Sequence, residues 1–267
     1  METKDGCALK IEIRGLEFSY PNGRPIFTNL NMDIIRGRIL SVLGPNGAGK
    51  STLLGCISRL HLPTKGDVLV AGRSYRTMSH TEIARAIGFV PQNILPSFDY
   101  SVIDYVVTGL APRMRVFQKP KDEEYEAAWR AIESMRLEHI AEKSFMRISS
   151  GERQQVAIAR VIAQDPRFIL LDEPTAYLDV GNQIRVLRIL KGLADRGYGV
   201  VITTHNPDHV LLLGGDVAVI DRQGDFTCGP GKEILNEEFL SRLYGTQLRI
   251  LEIGELQRKV CVAPNMD

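Results

Sequence analysis

The chain has 267 residues, of which 44% are hydrophobic and 24% are charged. This composition excludes a largely disordered chain and allows one large globular domain or two smaller ones. Its 33 Lys and Arg residues against 32 Asp and Glu residues give a formal net charge of +1, which predicts no nucleic acid partner and no global attraction to anionic lipid. The sequence has no apolar run of membrane-spanning length and no signal-segment pattern in its first residues.

Four cysteines show no C-x-x-C pairing, and we therefore expect neither a metal site nor a disulfide framework. They are Cys7, Cys56, Cys228 and Cys261. Free thiols of this kind fit a reducing cytoplasm.

Strand patterns open the chain. Between residues 9 and 14 apolar and charged residues alternate, and residues 16–20 form a second strand-like stretch that ends at turn residues. The apolar run Ile39–Leu43 is typical of a buried strand that enters a glycine-rich loop. After that loop, residues 51–60 predict a helix.

The middle of the chain is predicted to be mostly helical, from about residue 93 to residue 164, and strands return after it. The elements predicted here are helices over 122–135, 151–164 and 182–195 and strands over Phe168–Leu171 and 200–203. Because an alternation of strand, helix and strand favours parallel pairing with right-handed crossovers, we predict an α/β core with a helical insertion.

The glycine-rich loop fits the phosphate-binding pattern G-x-x-x-x-G-K-[ST], and it lies between a predicted strand and a predicted helix, as that pattern requires. Its residues are Gly44, Pro45, Asn46, Gly47, Ala48, Gly49, Lys50 and Ser51. The glycines allow successive backbone N–H groups to point at phosphate oxygens, and the helix N-terminus adds partial positive charge. Lys50 can reach the β- and γ-phosphates, and the Ser51 hydroxyl can bind Mg²⁺. The alternative is a loop that merely turns the chain.

Two acidic residues follow the second buried strand, at the end where ligands bind in open parallel sheets. We predict that Asp172 helps to bind Mg²⁺ and that Glu173 polarises an attacking water as a general base. A solvated acidic turn is the alternative, and the phosphate loop makes it the weaker one.

Together these motifs and the segment 148–155, Ile-Ser-Ser-Gly-Glu-Arg-Gln-Gln, resemble the ATP-binding subunit of an ABC (ATP-binding cassette) transporter over residues 9–240. The segment is similar to the family signature, which in that family contacts the ATP bound by a second subunit. The resemblance implies that Ser149 supplies a hydroxyl, that Gly151 allows close backbone approach, and that the helix N-terminus is directed at the γ-phosphate.

Other family positions match residue by residue. The resemblance implies that Tyr20 stacks on adenine, that Gln92 contacts Mg²⁺ and the attacking water, that Asp179 lies in a loop that pairs across a dimer, and that His205 is the switch histidine at the γ-phosphate. Taken without the family, these are a strand aromatic, a polar loop residue, a helix N-cap and a structural histidine.

The sequence and the resemblance together assign residues to each role of the predicted site. Catalysis is assigned to Glu173, His205, Lys50 and Gln92; Mg²⁺ to Ser51, Gln92 and Asp172; and ATP to Tyr20, Gly44, Pro45, Asn46, Gly47, Ala48, Gly49, Lys50, Ser51, Thr52, Gln92, Ser149, Ser150, Gly151, Glu152, Asp172, Asp179 and His205. Three positions depart from the family pattern: Ser150 replaces a glycine, Ile148 replaces a leucine, and Tyr177 is bulky where small residues are usual.

The predicted fold is α/β, a P-loop NTPase core with a mostly parallel sheet, an N-terminal antiparallel β part and a helical subdomain insertion. The core comprises residues 1–91 and 166–240, the helical subdomain 92–165, and a short C-terminal tail 241–267. One cassette without a membrane span implies a homodimer that sandwiches two ATP molecules, with separate transmembrane permease subunits at the cytoplasmic face of the membrane.

The segments 109–122, 204–207 and Leu243-Tyr244-Gly245 resemble the ATPases of importers for iron–siderophore, haem, cobalamin and molybdate. A solute-binding protein is then an indirect partner. Two alternatives remain: a soluble ABC ATPase that acts in cofactor assembly with soluble partners, and a P-loop kinase, which leaves the signature segment unexplained.

Overall fold

The structure is a computed structural model, and it describes residues 9–21, 23–94, 96, 98–115 and 117–265. Cys7 and the other residues before position 9, which belong to the predicted core, lie outside the described part. The strands are β1 (Lys10–Ser19), β2 (Pro25–Ile35), β3 (Ile39–Leu43), β4 (Lys65–Val70), β5 (Arg73–Ser74), β6 (Ile87–Val90), β7 (Phe168–Leu171), β8 (Gly199–Thr204), β9 (Asp216–Ile220), β10 (Phe226–Pro230), β11 (Arg249–Ile253) and β12 (Arg258–Val262).

Helices lie between and after these strands. They are α1 (Lys50–Ile57), α2 (His80–Ala86), α3 (Val102–Val107), α4 (Asp122–Ser134), α5 (Ser150–Gln164), α6 (Val180–Asp195), α7 (Pro207–Leu213), α8 (Gly231–Ile234) and α9 (Glu237–Tyr244), with short 3₁₀ helices at Tyr75–Thr77, Thr108–Arg113, Glu138–Ile140, Phe145–Arg147 and Gly254–Leu256. Of these helices, none is both long and apolar enough to cross a membrane within the described residues.

A six-stranded sheet forms the centre of the molecule, in the order β10-β9-β3-β8-β7-β6. Every pair from β9 to β6 is parallel, and β10 pairs antiparallel with β9. The strands β3, β7 and β8 are buried at every residue, which explains their continuous apolar runs. Because parallel strands end at one edge, the loops after β3, β6, β7 and β8 meet there.

The predicted strands Ile39–Leu43 and Phe168–Leu171 are confirmed residue for residue as β3 and β7. The two strands predicted at the N-terminus are instead one strand, β1, with an irregular register between Ile13 and Leu16. Gly15 lies in this gap at φ 57°, a conformation that suits glycine. The buried residues are Ile11 and Ile13 before it and Leu16 and Phe18 after it. Because the bulge adds one residue to β1, alternate side chains point into the core on both sides of Gly15.

The strand β1 belongs to a second sheet, with the order β2-β1-β4-β5, whose pairs are antiparallel. This sheet and α1 pack on one face of the central sheet and enclose a core that includes Phe27, Leu53 and Phe168. The helices α3, α4, α5 and α6 share a second core on the other face. The predicted α/β fold with an antiparallel β part and helices is thus confirmed.

The C-terminal segment contains more structure than the predicted short tail. Helix α9 continues to Tyr244, and Gly245 ends it in the left-handed conformation at φ 67°. The strands β11 and β12 then form an antiparallel hairpin. This segment joins a third, smaller core around Val210, Leu235 and Leu240. The predicted division into core, helical subdomain and tail stays a prediction.

Candidate functional site

The phosphate-binding loop connects β3 to α1, as its sequence predicts. Two of its glycines are required sterically: a Cβ at Gly44 would collide with the carbonyl oxygen of Ile220, and one at Gly49 would collide with Ile26. Gly49 also has φ 96°, which few residues with a side chain adopt. The loop therefore needs these glycines for its path, apart from any ligand.

Lys50 is almost fully buried at the start of α1 and directs its ammonium group back over the loop. The ammonium donates hydrogen bonds to the carbonyl oxygens of Gly44 at 2.8 Å and Pro45 at 3.1 Å. It also lies 3.2 Å from Oε1 of Glu173. A buried cation needs such partners, because removal from water is costly. This ion pair links the loop to the end of β7.

Asp172 joins three elements through hydroxyl groups. Its Oδ1 accepts hydrogen bonds from Ser51 Oγ at 3.0 Å and from Thr203 Oγ1 at 2.6 Å. The Thr203 hydroxyl in turn accepts the backbone N–H of Glu173 at 2.7 Å. A carboxylate beside a serine hydroxyl is the oxygen donor set that Mg²⁺ prefers next to phosphates. Within the described residues, no group of three or more His, Cys, Asp or Glu could bind a metal by itself.

Glu173 contacts two basic groups with one carboxylate. Its Oε2 lies 2.7 Å from Nδ1 of His205, while its Oε1 faces Lys50. The backbone of Glu173 has φ 45°, an uncommon conformation for a residue with a side chain and one that is found at functional sites. The His205 side chain remains 52% exposed against 9% for Glu173. The histidine is thus the solvent-facing member of the pair.

Lys50, Ser51, Glu173 and His205 line a cleft of about 640 Å³, and Asp172 and Thr203 lie buried beneath its surface. Its walls come from the loop after β3, from Gln92 after β6, from the segments after β7 and β8, and from Tyr20. The Tyr20 ring is 46% exposed, and its hydroxyl hydrogen-bonds Oγ1 of Thr52 at 3.1 Å. An exposed aromatic face at the rim of a phosphate site is suited to stack on a base.

The signature residues lie elsewhere in the chain's own fold. Ser149 caps α5: it accepts the N–H of Glu152 at 3.2 Å and donates to Oε2 of Glu152 at 2.7 Å. Hydrogen bonds from Ser149 lower the pKa of Glu152. Among the described residues, Ser149, Ser150, Gly151 and Glu152 are not part of the lining of the central cleft. One chain alone therefore does not bring together the whole predicted set.

Asp179 and Gly151 contact the same asparagine. Asp179 caps α6 and accepts both the backbone N–H of Asn182 at 2.9 Å and its side-chain amide at 2.7 Å; the backbone bond is the larger cause of the lowered pKa of Asp179. A Cβ at Gly151 would lie only 2.7 Å from Cγ of Asn182. The start of α5 is thus packed against the start of α6. Within its own chain Asp179 acts as the N-cap of α6, which is the alternative that the sequence also allowed.

Thr203 is one of the site residues that the sequence interpretation missed. It is fully buried and contacts both members of the acidic pair. The signal was present in the sequence, because β8 ends in two threonines after three apolar residues. Such a change of residue type at the carboxyl end of a parallel strand indicates a site-facing position. The lining residues Thr175 and His209 were also missed.

Comparison with known proteins decides the family. The family model described as ABC transporter matches residues 27–176. The chain belongs to the ABC transporter family. Its relatives include the molybdate import ATP-binding protein MolC of Haemophilus influenzae, 38% identical over 88% of this chain and 87% of MolC. They also include the ferric enterobactin transport ATP-binding protein FepC of Escherichia coli, 33% identical over 90% of this chain and 89% of FepC.

The solved structures agree with this ABC assignment. A structure described as the inward-facing conformation of an ABC transporter of the metal-chelate type aligns with a TM-score of 0.86 at 35% identity, over 97% of this chain and 98% of that one. The resemblance deduced from the motifs is therefore confirmed. This ABC protein is an ATPase subunit, and its relatives include ATP-binding proteins of molybdate import, ferric enterobactin transport and hemin import.

Proposed function

We propose that this ABC ATPase powers the import of a metal chelate or a metal oxyanion through separate permease subunits. One observation carries the hydrolytic part: Glu173 faces Lys50 at 3.2 Å and His205 at 2.7 Å, directly beside the Asp172–Ser51 pair. A carboxylate, a histidine and a phosphate loop in one cleft are the groups that ATP hydrolysis requires.

The phosphates of ATP would lie on the loop 44–51, where backbone N–H groups, the start of α1 and Lys50 are directed. Ser51 and Asp172 would bind Mg²⁺, together with Gln92, which also lines the cleft. Bound Mg²⁺ neutralises charge on the phosphate oxygens. Tyr20 would stack on the adenine at the rim. Lys50 would exchange its carbonyl contacts for phosphate oxygens.

Hydrolysis would depend on the Glu173–His205 pair. The Glu173 carboxylate accepts a hydrogen bond from the attacking water and withdraws its proton, which makes the oxygen more nucleophilic. His205 orients that carboxylate through Nδ1 and presents its other ring nitrogen toward the γ-phosphate. The contact with His205 Nδ1 at 2.7 Å holds the Glu173 carboxylate on the side of the cleft where His205 lies.

A second copy would complete the site. Because the Ser149–Glu152 segment lies outside the chain's own cleft, it is available to contact ATP bound by a partner. A homodimer related by two-fold symmetry places two signature segments over two nucleotides. The contact between Gly151 and Asn182 would then couple α5 to the Asp179 loop during closure.

The permease would dock beside Gln92. The residues Pro91, Ile94, Phe98, Tyr100 and Tyr105 line an open depression next to it, together with polar residues that include Arg160. Phe98 is 70% exposed, and an exposed aromatic on such a surface is typical of protein interfaces. This docking would place the ATPase at the cytoplasmic face of the membrane. The solute would be recognised by the permease and a solute-binding protein rather than by this chain.

ATP-dependent dimerisation tests the sandwich. Glu173→Gln keeps the shape of the side chain but removes the base, so ATP stays intact and the closed dimer accumulates. We expect a dimer in Mg-ATP by size-exclusion chromatography with light scattering. Adding Lys50→Ala to the same variant should abolish dimerisation. The single variant Glu17→Gln, outside the cleft, should form as much dimer in Mg-ATP as wild type does. A Glu173→Gln protein that stays monomeric in saturating Mg-ATP contradicts the sandwich.

Co-purification tests the transport role. The tagged chain is recovered from detergent-solubilised host membranes and its partners are identified by mass spectrometry. A membrane protein with many spans in near-equal amount supports the importer. Recovery of soluble proteins alone overturns it and favours the ATPase of cofactor assembly. The Phe98→Glu variant should lose the membrane partner while it keeps ATP binding.

A further inference from the structure

The C-terminal segment reaches the catalytic cleft through one tyrosine. Tyr244 is the last residue of α9, and its phenol hydroxyl donates a hydrogen bond of 2.7 Å to the backbone carbonyl oxygen of His205. Burial raises the pKa of Tyr244 above its usual range, so the hydroxyl remains protonated and can donate. Gly245 ends the helix directly afterwards in the left-handed conformation.

The hairpin makes a second contact close by, at the start of α7, which follows the short loop after β8. Arg258 in β12 forms an ion pair of 2.7 Å with Oδ2 of Asp208, and the backbone N–H of Cys261 donates to Oδ1 of Asp208 at 3.3 Å. Only 28% of the Arg258 side chain and 30% of the Asp208 side chain are exposed. Partial burial strengthens such a pair relative to one on the open surface.

The loop between these two contacts carries His205. On its inner side, the Thr204 hydroxyl accepts the N–H of Asn206 at 3.0 Å, and the Asn206 side chain accepts the N–H of Asp208 at 2.9 Å. The His205 ring has one hydrogen-bond partner among the described residues, Glu173. Its direction therefore depends mainly on the backbone of the loop, which the C-terminal segment contacts at both ends.

We propose that Tyr244 and the Arg258–Asp208 pair are positioning groups for His205, and that the segment Glu237–Val262 thereby controls the rate of ATP hydrolysis. The inference rests on the proposed function, because it assigns His205 to hydrolysis. It gives a role to the Leu243-Tyr244-Gly245 segment, which no step of hydrolysis uses directly.

The first test removes one oxygen atom. Tyr244→Phe keeps the ring in its core but deletes the hydrogen bond to His205. We expect kcat to fall by about 3- to 10-fold, the loss that one hydrogen bond supports, while the affinity for a fluorescent ATP analogue changes by less than about twofold. The matched control is Tyr125→Phe, which deletes a 2.8 Å hydrogen bond to Asp104 far from the cleft and should leave kcat unchanged.

A double-mutant cycle tells positioning from general destabilisation. In a His205→Ala background, measured by single-turnover hydrolysis, Tyr244→Phe should cause no further loss, because the group that it positions is absent. A further loss of the same 3- to 10-fold overturns the proposal. An equal loss of kcat in Tyr125→Phe also overturns it, as does a wild-type kcat in Tyr244→Phe.

The ion pair supplies a second variant if Tyr244→Phe folds poorly. Arg258→Gln should lower kcat, and Arg258→Lys should restore most of it because a charge at Asp208 returns. Failure of the two proposals is distinguishable: if His205→Ala lowers kcat and the C-terminal variants do not, only this inference fails. If His205→Ala keeps the wild-type kcat, the assigned role of His205 and this inference fail together.

Discussion

Asp172 shows how one atom can connect separate elements. Its Oδ1 accepts two hydroxyl hydrogen bonds, one from α1 and one from β8, so the end of β7 is tied to both neighbours. An amide oxygen can accept the same two bonds. The negative charge of Asp172 is therefore not needed for these contacts, and we propose that it interacts with the Mg²⁺ that accompanies ATP.

We predict that Asp172→Asn folds normally but hydrolyses ATP on the order of 10- to 100-fold more slowly, the usual cost of altering the shell around a metal ion. Raising the Mg²⁺ concentration should recover part of the rate, which a steady-state titration measures. Asp195→Asn at the exposed end of α6 is the matched control. A wild-type Mg²⁺ dependence in Asp172→Asn contradicts the assignment of this carboxylate.

His209 is a buried titratable residue that lines the same cleft as Glu173 and His205. Its Nδ1 lies 3.3 Å from the Thr175 hydroxyl, and burial lowers its pKa below the ordinary value of 6.5. Between the native pKa and 6.5 the unfolded chain binds a proton that the folded chain does not. Stability from this group is thus complete above the ordinary value and is lost as pH falls through the native pKa.

We predict that the melting temperature of wild type falls more than that of His209→Gln when the pH is lowered from about 7.5 to about 5.5. The control is His80→Gln, at an exposed histidine, and its melting temperature should fall as much as that of wild type. Differential scanning calorimetry in both buffers gives the comparison. Parallel losses in wild type and His209→Gln would show that His209 is not responsible.

At the scale of the element, the bulge in β1 is the feature at which a substitution has the most predictable effect on stability. We predict that Gly15→Ala lowers stability by about 1 kcal/mol, because alanine strains at positive φ. The contrasting variant is Gly192→Ala within α6, where an added Cβ has nothing within 4 Å. It should raise stability by about 0.5–1 kcal/mol. Urea unfolding measures both, and a destabilised Gly192→Ala would refute the steric account.

Elements with one dominant signal could be predicted from sequence. The strands β3 and β7 are short apolar runs bounded by loops, and both were correct to the residue. The bulge at Gly15 was missed because each half of β1 alternates correctly by itself, and the sequence does not reveal that one strand continues through the change of phase. The C-terminal hairpin was missed because most of its side chains are exposed or half-buried, so it lacks a strong apolar pattern.

The residues of the site likewise fall into those that a local sequence pattern predicts and those that it does not. The phosphate loop and the acidic pair have local patterns, and the geometry of their side chains follows from the strand ends. Contacts between distant segments have no such pattern. The bond from Tyr244 to a backbone carbonyl of His205, and the placing of Gly151 against Asn182, depend on tertiary packing that no local spacing encodes.

At the scale of the whole molecule, the two main cores share the central sheet as a common wall. Cys56 lies in α1 within one of these cores and is fully buried; burial raises the pKa of its thiol to about 12. A protonated and inaccessible thiol reacts very slowly with alkylating agents. Its labelling therefore reports opening of the nucleotide-binding half of the molecule.

We predict that iodoacetamide labels Cys56 only when this half unfolds, and that Mg-ATP slows labelling further by mass action. Mass spectrometry of a variant that carries serine at Cys7, Cys228 and Cys261 would follow the reaction. Rapid labelling of the native protein at neutral pH would contradict the burial of this thiol. The Lys50→Ala variant should show no protection by ATP.

The order of strands in the central sheet also governs how the chain can fold during its synthesis. The strand β3 leaves the ribosome early, but its two neighbours, β8 and β9, begin only at Gly199 and Asp216. At ~5–20 residues per second, β3 waits on the order of 10–30 s for its first partner. During this interval the apolar strand beside the phosphate loop is a target for chaperones, whereas the antiparallel sheet can already pair. A nascent chain therefore acquires its nucleotide site only near the end of translation.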